Sequence, residues 1–162
     1  MSTGRRSAGL LLFRSGTRGA EVLIGHMGGP FWAGREAAAW SIPKGGYGPD
    51  EEPASAARRE FEEELGLPVP DGAWVPLGEA RQPSGKLVTV WAVAADLDVS
   101  KAVPGTFGME WPKGSGEWRE FPEIDRFAWC TPEEAEERLV RGQRVFVERL
   151  IGHVEGEGAS SA

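Results

Sequence analysis

At 162 residues, 40% of them hydrophobic, the chain can bury one proper core and is too short for a second domain of useful size. A formal net charge of −7 argues against a broad nucleic-acid surface, where binding runs on Lys and Arg, but leaves a small phosphorylated ligand open. One cysteine, Cys130, rules out an intramolecular disulfide and reads as a packing residue, and no stretch is apolar for long enough to span a membrane.

Taken in order, Arg5 and Arg6 ahead of apolar residues 8–13 faintly resemble a signal peptide. The run is short and Arg14 ends it, so a first strand is predicted. Residues 8–13 and 21–26 are joined by Ser15, Gly16 and Gly19, which predicts a hairpin. A looser segment, residues 31–39, leads to Trp40-Ser41-Ile42 and then Pro43-Lys44-Gly45. After a helix discussed below, residues 74–82 and 86–96 read as strands around a Pro83-Ser84-Gly85 turn. Residues 103–119 read as irregular and 127–130 as a last short strand. Thr131-Pro132-Glu133-Glu134 opens a helix with a capping-box pattern that runs to about Val140; Gly142 breaks it, and residues 143–153 make another. Residues 155–162 are small and polar and predict a disordered tail, which puts the domain at 1–154. Strands mixed with helices in this order predict an α/β/α sandwich on a mixed sheet, with the strand order open. His26 and His153 are isolated and read as structural.

The central helix carries the chemistry. Pro53 suits the first helical position, where its missing N–H costs nothing, and Asp50, Glu51 and Glu52 bring negative charge to the positive helix start. Gly66 and then Pro68 end it. Ala54, Ala57, Phe61 and Leu65 recur at helical spacing and form a stripe to lie against a sheet. Beside the stripe Glu60, Glu63 and Glu64 stand at i, i+3 and i+4, on one face. Like charges at this spacing repel, and anions near a helix C-terminus oppose its dipole. A divalent cation reverses both penalties. Hard ions take carboxylate oxygens, waters and substrate phosphates, so this face reads as half of a Mg²⁺ site, with Mn²⁺ as the alternative metal. An acidic face that is merely solvated is the competing reading.

The ordered context weighs against that alternative. Gly45, Glu51, Arg59, Glu60, Glu63, Glu64 and Gly66, with apolar Phe61 and Leu67, fit without a gap the pattern Gly, five residues, Glu, seven residues, Arg-Glu-apolar-any-Glu-Glu-any-Gly-apolar. At roughly one-in-fifteen residue usage, a chance match is on the order of one in a hundred million per start. This pattern is the Nudix box, and the chain resembles Nudix hydrolases, which cleave nucleoside diphosphates linked to another moiety. The resemblance implies the same α/β/α fold, with Glu60, Glu63 and Glu64 as metal ligands and one of them a candidate base. It implies that Arg59 pairs with Glu51 to hold the loop against the helix, and that a backbone carbonyl at Lys44 or Gly45 reaches the metal.

Outside the box, Glu123 lies six positions before Trp129, as does a glutamate that supplies a further ligand or the base in diadenosine tetraphosphate hydrolases and oxidised-nucleotide-sanitising members; Glu117 and Glu120 compete for the role. Trp40-Ser41-Ile42-Pro43-Lys44-Gly45 resembles the lead-in of diadenosine and diphosphoinositol polyphosphate hydrolases, with Lys44 placed to meet a phosphate. The strand from Lys86 to Trp91 resembles the one after the box in the diadenosine enzymes and adds Lys86 and Arg81 as phosphate candidates. Trp32, Trp111 and Trp118 sit in irregular segments, where a base-stacking platform is wanted, and residues 103–123 read as a mobile lid.

The expected reaction is Mg²⁺-dependent hydrolysis of a pyrophosphate linkage in a small nucleotide polyphosphate, dinucleoside polyphosphates ahead of nucleoside triphosphates. The expected protein is cytoplasmic, a monomer or homodimer, with no membrane or nucleic-acid-polymer partner. The alternatives are an ADP-sugar pyrophosphatase, for which Pro83 stands about where ADP-ribose-cleaving members carry a proline, and a non-catalytic nucleotide-sensing domain. Against the latter, no box carboxylate is missing; against the diadenosine reading, no tyrosine follows the box where many of those enzymes have one.

Overall fold

The computed structural model describes residues 6–160. The strand β1 (Arg6–Gly16) is the axis of the sheet, and its residues 7–12 are all buried, the continuous run expected of a strand covered on both faces. Along one edge it pairs in parallel with β6 (Leu87–Ala94). Along the other it pairs antiparallel with two strands in turn, its residues 13–16 with β2 (Gly19–Met27) and its residues 7–9 with β4 (Lys44–Gly46). The sheet therefore forks on this edge. The fork also takes in the two-residue β3 (Trp40–Ser41), paired with the far end of β2, whose outer edge carries β9 (Ile124–Cys130). On the far side of β6, β5 (Trp74–Arg81) closes the sheet antiparallel.

Because side chains alternate along β1, Ala8, Leu10 and Leu12 point to one face and Leu11 to the other. The first face is covered by α1 (Pro53–Leu65), whose Ala56, Ala57, Phe61 and Leu65 are fully buried there. The second is covered by α2 (Pro132–Arg138) and α3 (Arg144–Ser160), through Ala135, Leu139, Phe146, Val147 and Leu150. This is the expected α/β/α sandwich on a mixed sheet. The α2 capping box forms as its sequence predicts: Glu134 N–H donates to Thr131 Oγ1 and Thr131 N–H to Glu134 Oε1. Cys130 is buried.

Three expectations are corrected. Residues 103–119 are not irregular, because β7 (Thr106–Glu110) and β8 (Trp118–Pro122) pair as an antiparallel hairpin. Phe107 and Phe121 pack together at its base, a cross-strand pair that the glycines around it obscure in the sequence. The last helix does not end at His153 but continues to Ser160, so a chain expected to be tail from 155 is helical that far, and residues 161–162 lie outside the described residues. In α1, Ala54 is only half-buried, and Ala56 and Glu64 take part in the buried face.

Candidate active site

The fork in the sheet sets the site. β4 lies on β1 with Pro43 carbonyl accepting from Leu10 N–H at 3.1 Å and Tyr47 N–H donating to Arg6 carbonyl at 3.1 Å. Antiparallel partners alternate between bonded and non-bonded positions, so 43, 45 and 47 face β1 while the N–H and carbonyl of Lys44 turn away from it. Of the two carbonyls expected at the metal, Lys44's is the available one.

Against this edge α1 lays its carboxylates. Gly45 makes the seat on which Glu60 rests: a Cβ there would stand 2.0 Å from the Glu60 carboxyl carbon, the far end of a side chain that Arg59 holds in place. Glu64 is buried, and its Oε1 has no hydrogen-bond partner. Burial pushes its carboxyl up to about 8, opposed by the nearby Lys44 ammonium and backbone N–H and reinforced by Glu123 and Glu60. Glu60 is raised too, first by burial and then, against Arg59, by Glu63 and Glu123. Glu63 is exposed at the rim. The helix ends at Gly66, which adopts φ 66° and donates to Glu62 carbonyl at 2.8 Å; left-handed backbone and the Val103 carbonyl against its Cα both call for glycine.

Arg59 organises the acids. It grips Glu51 with two hydrogen bonds, 2.8 Å from Nε and 2.9 Å from the second terminal nitrogen, which also reaches Gly46 carbonyl at 3.2 Å. This is the expected Glu51 pair. The remaining nitrogen donates to Glu60 at 2.9 Å and Glu63 at 3.3 Å, contacts the sequence left unassigned. No three His, Cys, Asp or Glu groups among the described residues are drawn into a ready metal cage. The donor set still suits a hard divalent cation: a buried carboxylate oxygen without a partner, two neighbouring carboxylates, Glu123 within electrostatic reach of both Glu60 and Glu64, and a backbone carbonyl turned outward.

Glu123 is delivered by the junction between β8 and β9. Its N–H donates to Gly105 carbonyl and its carbonyl accepts from Gly28 N–H, both at 2.9 Å. Its competitors are engaged on the hairpin, Glu117 by Arg119 at 3.3 Å and Glu120 by Thr106 Oγ1 at 3.0 Å. Lys44 is half-buried, its ammonium lowered by burial and by Lys86 and held up by Glu64 and Glu60; it faces the carboxylates instead of standing free on a turn. Lys86 is close enough to be felt there. Arg81 is exposed and donates to Gly85 carbonyl at 3.0 Å, closing the β5–β6 turn. Trp118 is 73% exposed, its ring laid over Gly108 of the facing strand. Trp32 packs into the cluster beneath α2 and α3, on the face away from α1.

Two positioning groups escaped the sequence. Gln143 is buried; its Oε1 accepts from Ile42 N–H at 2.7 Å and its amide donates to Ser41 Oγ at 3.0 Å, fixing the strand that feeds Lys44. Gly28 lies so near the Pro122 carbonyl that a Cβ would approach to 1.9 Å, which locks β2 to the Glu123 junction. Glutamine is ordinarily exposed and a Gly-Gly pair reads as a turn, so neither carried a signal.

Residues 3–150 match the family model for the NUDIX domain. No curated protein matches the chain. Among solved structures, the chain is similar to a C. elegans Ap4A hydrolase binary complex at 18% identity and TM-score 0.67, covering 93% of this chain and 98% of that one. It is similar to a mutT/nudix family protein from Listeria innocua at 16% identity and TM-score 0.65, covering 98% of both. The NUDIX domain of Shewanella oneidensis NrtR, complexed with ADP ribose, matches at 13% identity and TM-score 0.61, over 95% of this chain and 90% of that one. These identities speak to the fold alone. A box without a gap, a forked mixed sheet that seats Glu60 on Gly45, and a family match across nearly the whole chain together place this protein in the Nudix family.

Proposed function

We propose that this protein hydrolyses a pyrophosphate linkage in a nucleotide polyphosphate, with Mg²⁺ or Mn²⁺ held by Glu60, Glu63, Glu64 and the Lys44 carbonyl, and with Glu123 beside them as the base. The observation that carries the reading is Glu64, a buried carboxylate with an oxygen lacking any partner, beside two further acids. An enzyme core keeps such a group when something cationic completes it. A bound divalent ion supplies charge neutralisation at the phosphates and a water of lowered pKa. The chain's own residues do the rest. Arg59 orients Glu60 and Glu63 while anchored on Glu51. Glu123, exposed at the mouth, accepts the proton of the attacking water. Lys44 and Lys86 face the scissile phosphates, and Trp118 offers a flat face to a base.

Dinucleoside polyphosphates lead as substrates, from the Lys44 and Lys86 settings and the likeness to an Ap4A hydrolase. ADP-sugars are the second reading, favoured by the ADP ribose held in the Shewanella oneidensis domain. The test is a panel of dinucleoside polyphosphates, triphosphates, ADP-sugars and diphosphoinositols with Mg²⁺, with the products identified. Cleavage of dinucleoside polyphosphates ahead of the others is expected; turnover of ADP-sugars alone would move the assignment, and no turnover of any would overturn it.

A further inference from the structure

The two lysines offered to the phosphates stand where pairing to β1 ends. Lys44 is the first residue of β4, and Lys86 is the residue before β6. β4 and β6 run along opposite edges of β1, so neither lysine holds the other in place. The charge of Lys86 is nevertheless felt at Lys44. Their separation is set by whatever fixes the chain just outside the two ladders.

On the Lys86 side that chain is the β5–β6 turn. Gln82 N–H donates to the Lys86 carbonyl at 2.7 Å and Gly85 N–H to the Gln82 carbonyl at 2.8 Å, so Gln82 and Lys86 close the turn as a pair. The Gln82 side chain leaves the turn. Its Nε2 donates at 2.8 Å to the carbonyl of Gly142, 60 residues on. Gly142 lies in the short helical turn Arg141–Gln143 between α2 and α3. A Cβ on Gly142 would stand 2.1 Å from Gln82 Oε1, so the missing side chain is what lets the amide lie against this backbone. The next residue, Gln143, reaches the other way, to Ile42 N–H and Ser41 Oγ just ahead of Lys44. Consecutive Cα atoms are about 3.8 Å apart, so the two grips share one stiff step of backbone. The turn itself is pinned. Gln143 N–H donates to Val140 carbonyl and Val140 N–H to Trp40 carbonyl, both at 3.0 Å, and Phe146 and Val147 are buried just beyond.

We propose that the Arg141–Gln143 turn is a bracket that sets the span between Lys44 and Lys86, with Gln82 and Gly142 as positioning residues for a phosphate chain held between the two ammonium groups. This rests on the reading of both lysines as phosphate contacts. A phosphate chain carries its charges at near-fixed spacing, and cations already held at a matching distance bind it without first losing their own freedom. Gln82 touches no substrate; it acts through Lys86. Cutting its side-chain bond leaves the turn closed by its backbone and leaves Gln143 on Ile42, so α1, the Lys44 carbonyl and Glu123 keep their places. Binding therefore suffers, and turnover of the bound molecule does not.

The test measures binding of inorganic tripolyphosphate with millimolar Mg²⁺ by calorimetry, beside KM and kcat on the best nucleotide of the panel. Gln82→Met keeps the length of the side chain and loses the donor. It should weaken tripolyphosphate binding and raise KM roughly three- to tenfold, the scale of one neutral hydrogen bond, with kcat within about twofold of wild type. Gly142→Ala attacks the same bond from its other end and should do the same; should it fail to fold, Gln82→Met, at a half-buried side chain, decides alone. Lys86→Met supplies the readout that general loosening would not move. Because Gln82 acts through Lys86, Gln82→Met should add nothing once Lys86 is gone. Equal weakening by Gln82→Met with and without Lys86, an unchanged affinity in Gln82→Met, or a wild-type protein that does not bind tripolyphosphate each overturns the proposal. Calorimetry needs no turnover. A protein inactive on the whole panel that shows the non-additive binding sinks the hydrolase reading and keeps the bracket, and an active one with additive effects does the reverse.

Discussion

Glu64 is where charge and burial conflict most sharply. Its carboxylate is paired with nothing at Oε1 and is held in the core by its place on α1 beside Phe61 and Leu65. Glu64→Gln should abolish Mg²⁺-dependent turnover and keep the fold; in metal-free protein at pH 8 it should raise the melting temperature, because the amide brings no charge inside. Unchanged turnover removes Glu64 from the site. Glu123 is the reverse case, exposed at the β8–β9 junction, and Glu123→Gln should cost kcat roughly a hundredfold or more, the scale of a positioned acid–base group. A rate within twofold of wild type would make it a surface acid. Arg59 has both duties at once, bidentate to Glu51 and bonded to Glu60 and Glu63. Arg59→Ala should lower melting temperature and kcat together; a normal melt with a raised KM alone would make it a phosphate ligand instead.

At the scale of elements, the site is a meeting of one helix with two junctions. α1 brings three acids, the β4 edge brings the Lys44 carbonyl, and the β8–β9 junction brings Glu123. The third depends on two backbone bonds and on the absence of a side chain at Gly28. Gly28→Ala drives a methyl into the Pro122 carbonyl, and backbone cannot swing aside as a side-chain end can. A loss of about 1–3 kcal/mol is expected from such overpacking, measured by denaturant unfolding. Because Glu123 moves with the junction, kcat should fall as well, whereas Gly34→Ala, in the loop between β2 and β3 where an added Cβ meets nothing within 4 Å, should leave kcat unchanged and cost stability only through its φ of 78°.

For the whole molecule, the buried acid makes stability depend on pH and metal together. The unfolded Glu64 titrates near 4.5 and the folded one near 8. Between these values the folded state keeps a proton that the unfolded chain has lost, so metal-free stability should fall as pH rises through this window, by an amount on the order of a few kcal/mol. Lys44, lowered by the same burial, acts oppositely toward its ordinary 10.5, where the folded state gives up its proton first and stability recovers. Ligand carboxylates must be ionised to bind metal. Millimolar Mg²⁺ should therefore raise the melting temperature clearly at pH 8 and little at pH 5; an equal shift at both values, or the same shift in Glu64→Gln, would detach the metal from this group.

The Glu51–Arg59 pair was implied by the resemblance to the Nudix box; the local pattern alone determined the box helix, its Pro53 start and Gly66 stop, the capping box of α2 and the β1–β2 hairpin. Each depends on residues close in the chain, where spacing and turn chemistry carry the signal. What the sequence could not decide is what distant segments do when packed together. That Glu64 is buried and Glu63 exposed follows from which way α1 is rolled against β1 and β4, a choice that no helical period contains. That Glu123 and not Glu117 or Glu120 faces the acids follows from the register of the β7–β8 hairpin and its lock at Gly28. That Gln143 and His26 hold strands from the interior follows from partners 101 and 99 residues away, Ile42 and Asp125. Buried polar groups are placed by hydrogen bonds that form only when the whole sheet has closed, and such bonds leave no periodicity behind them.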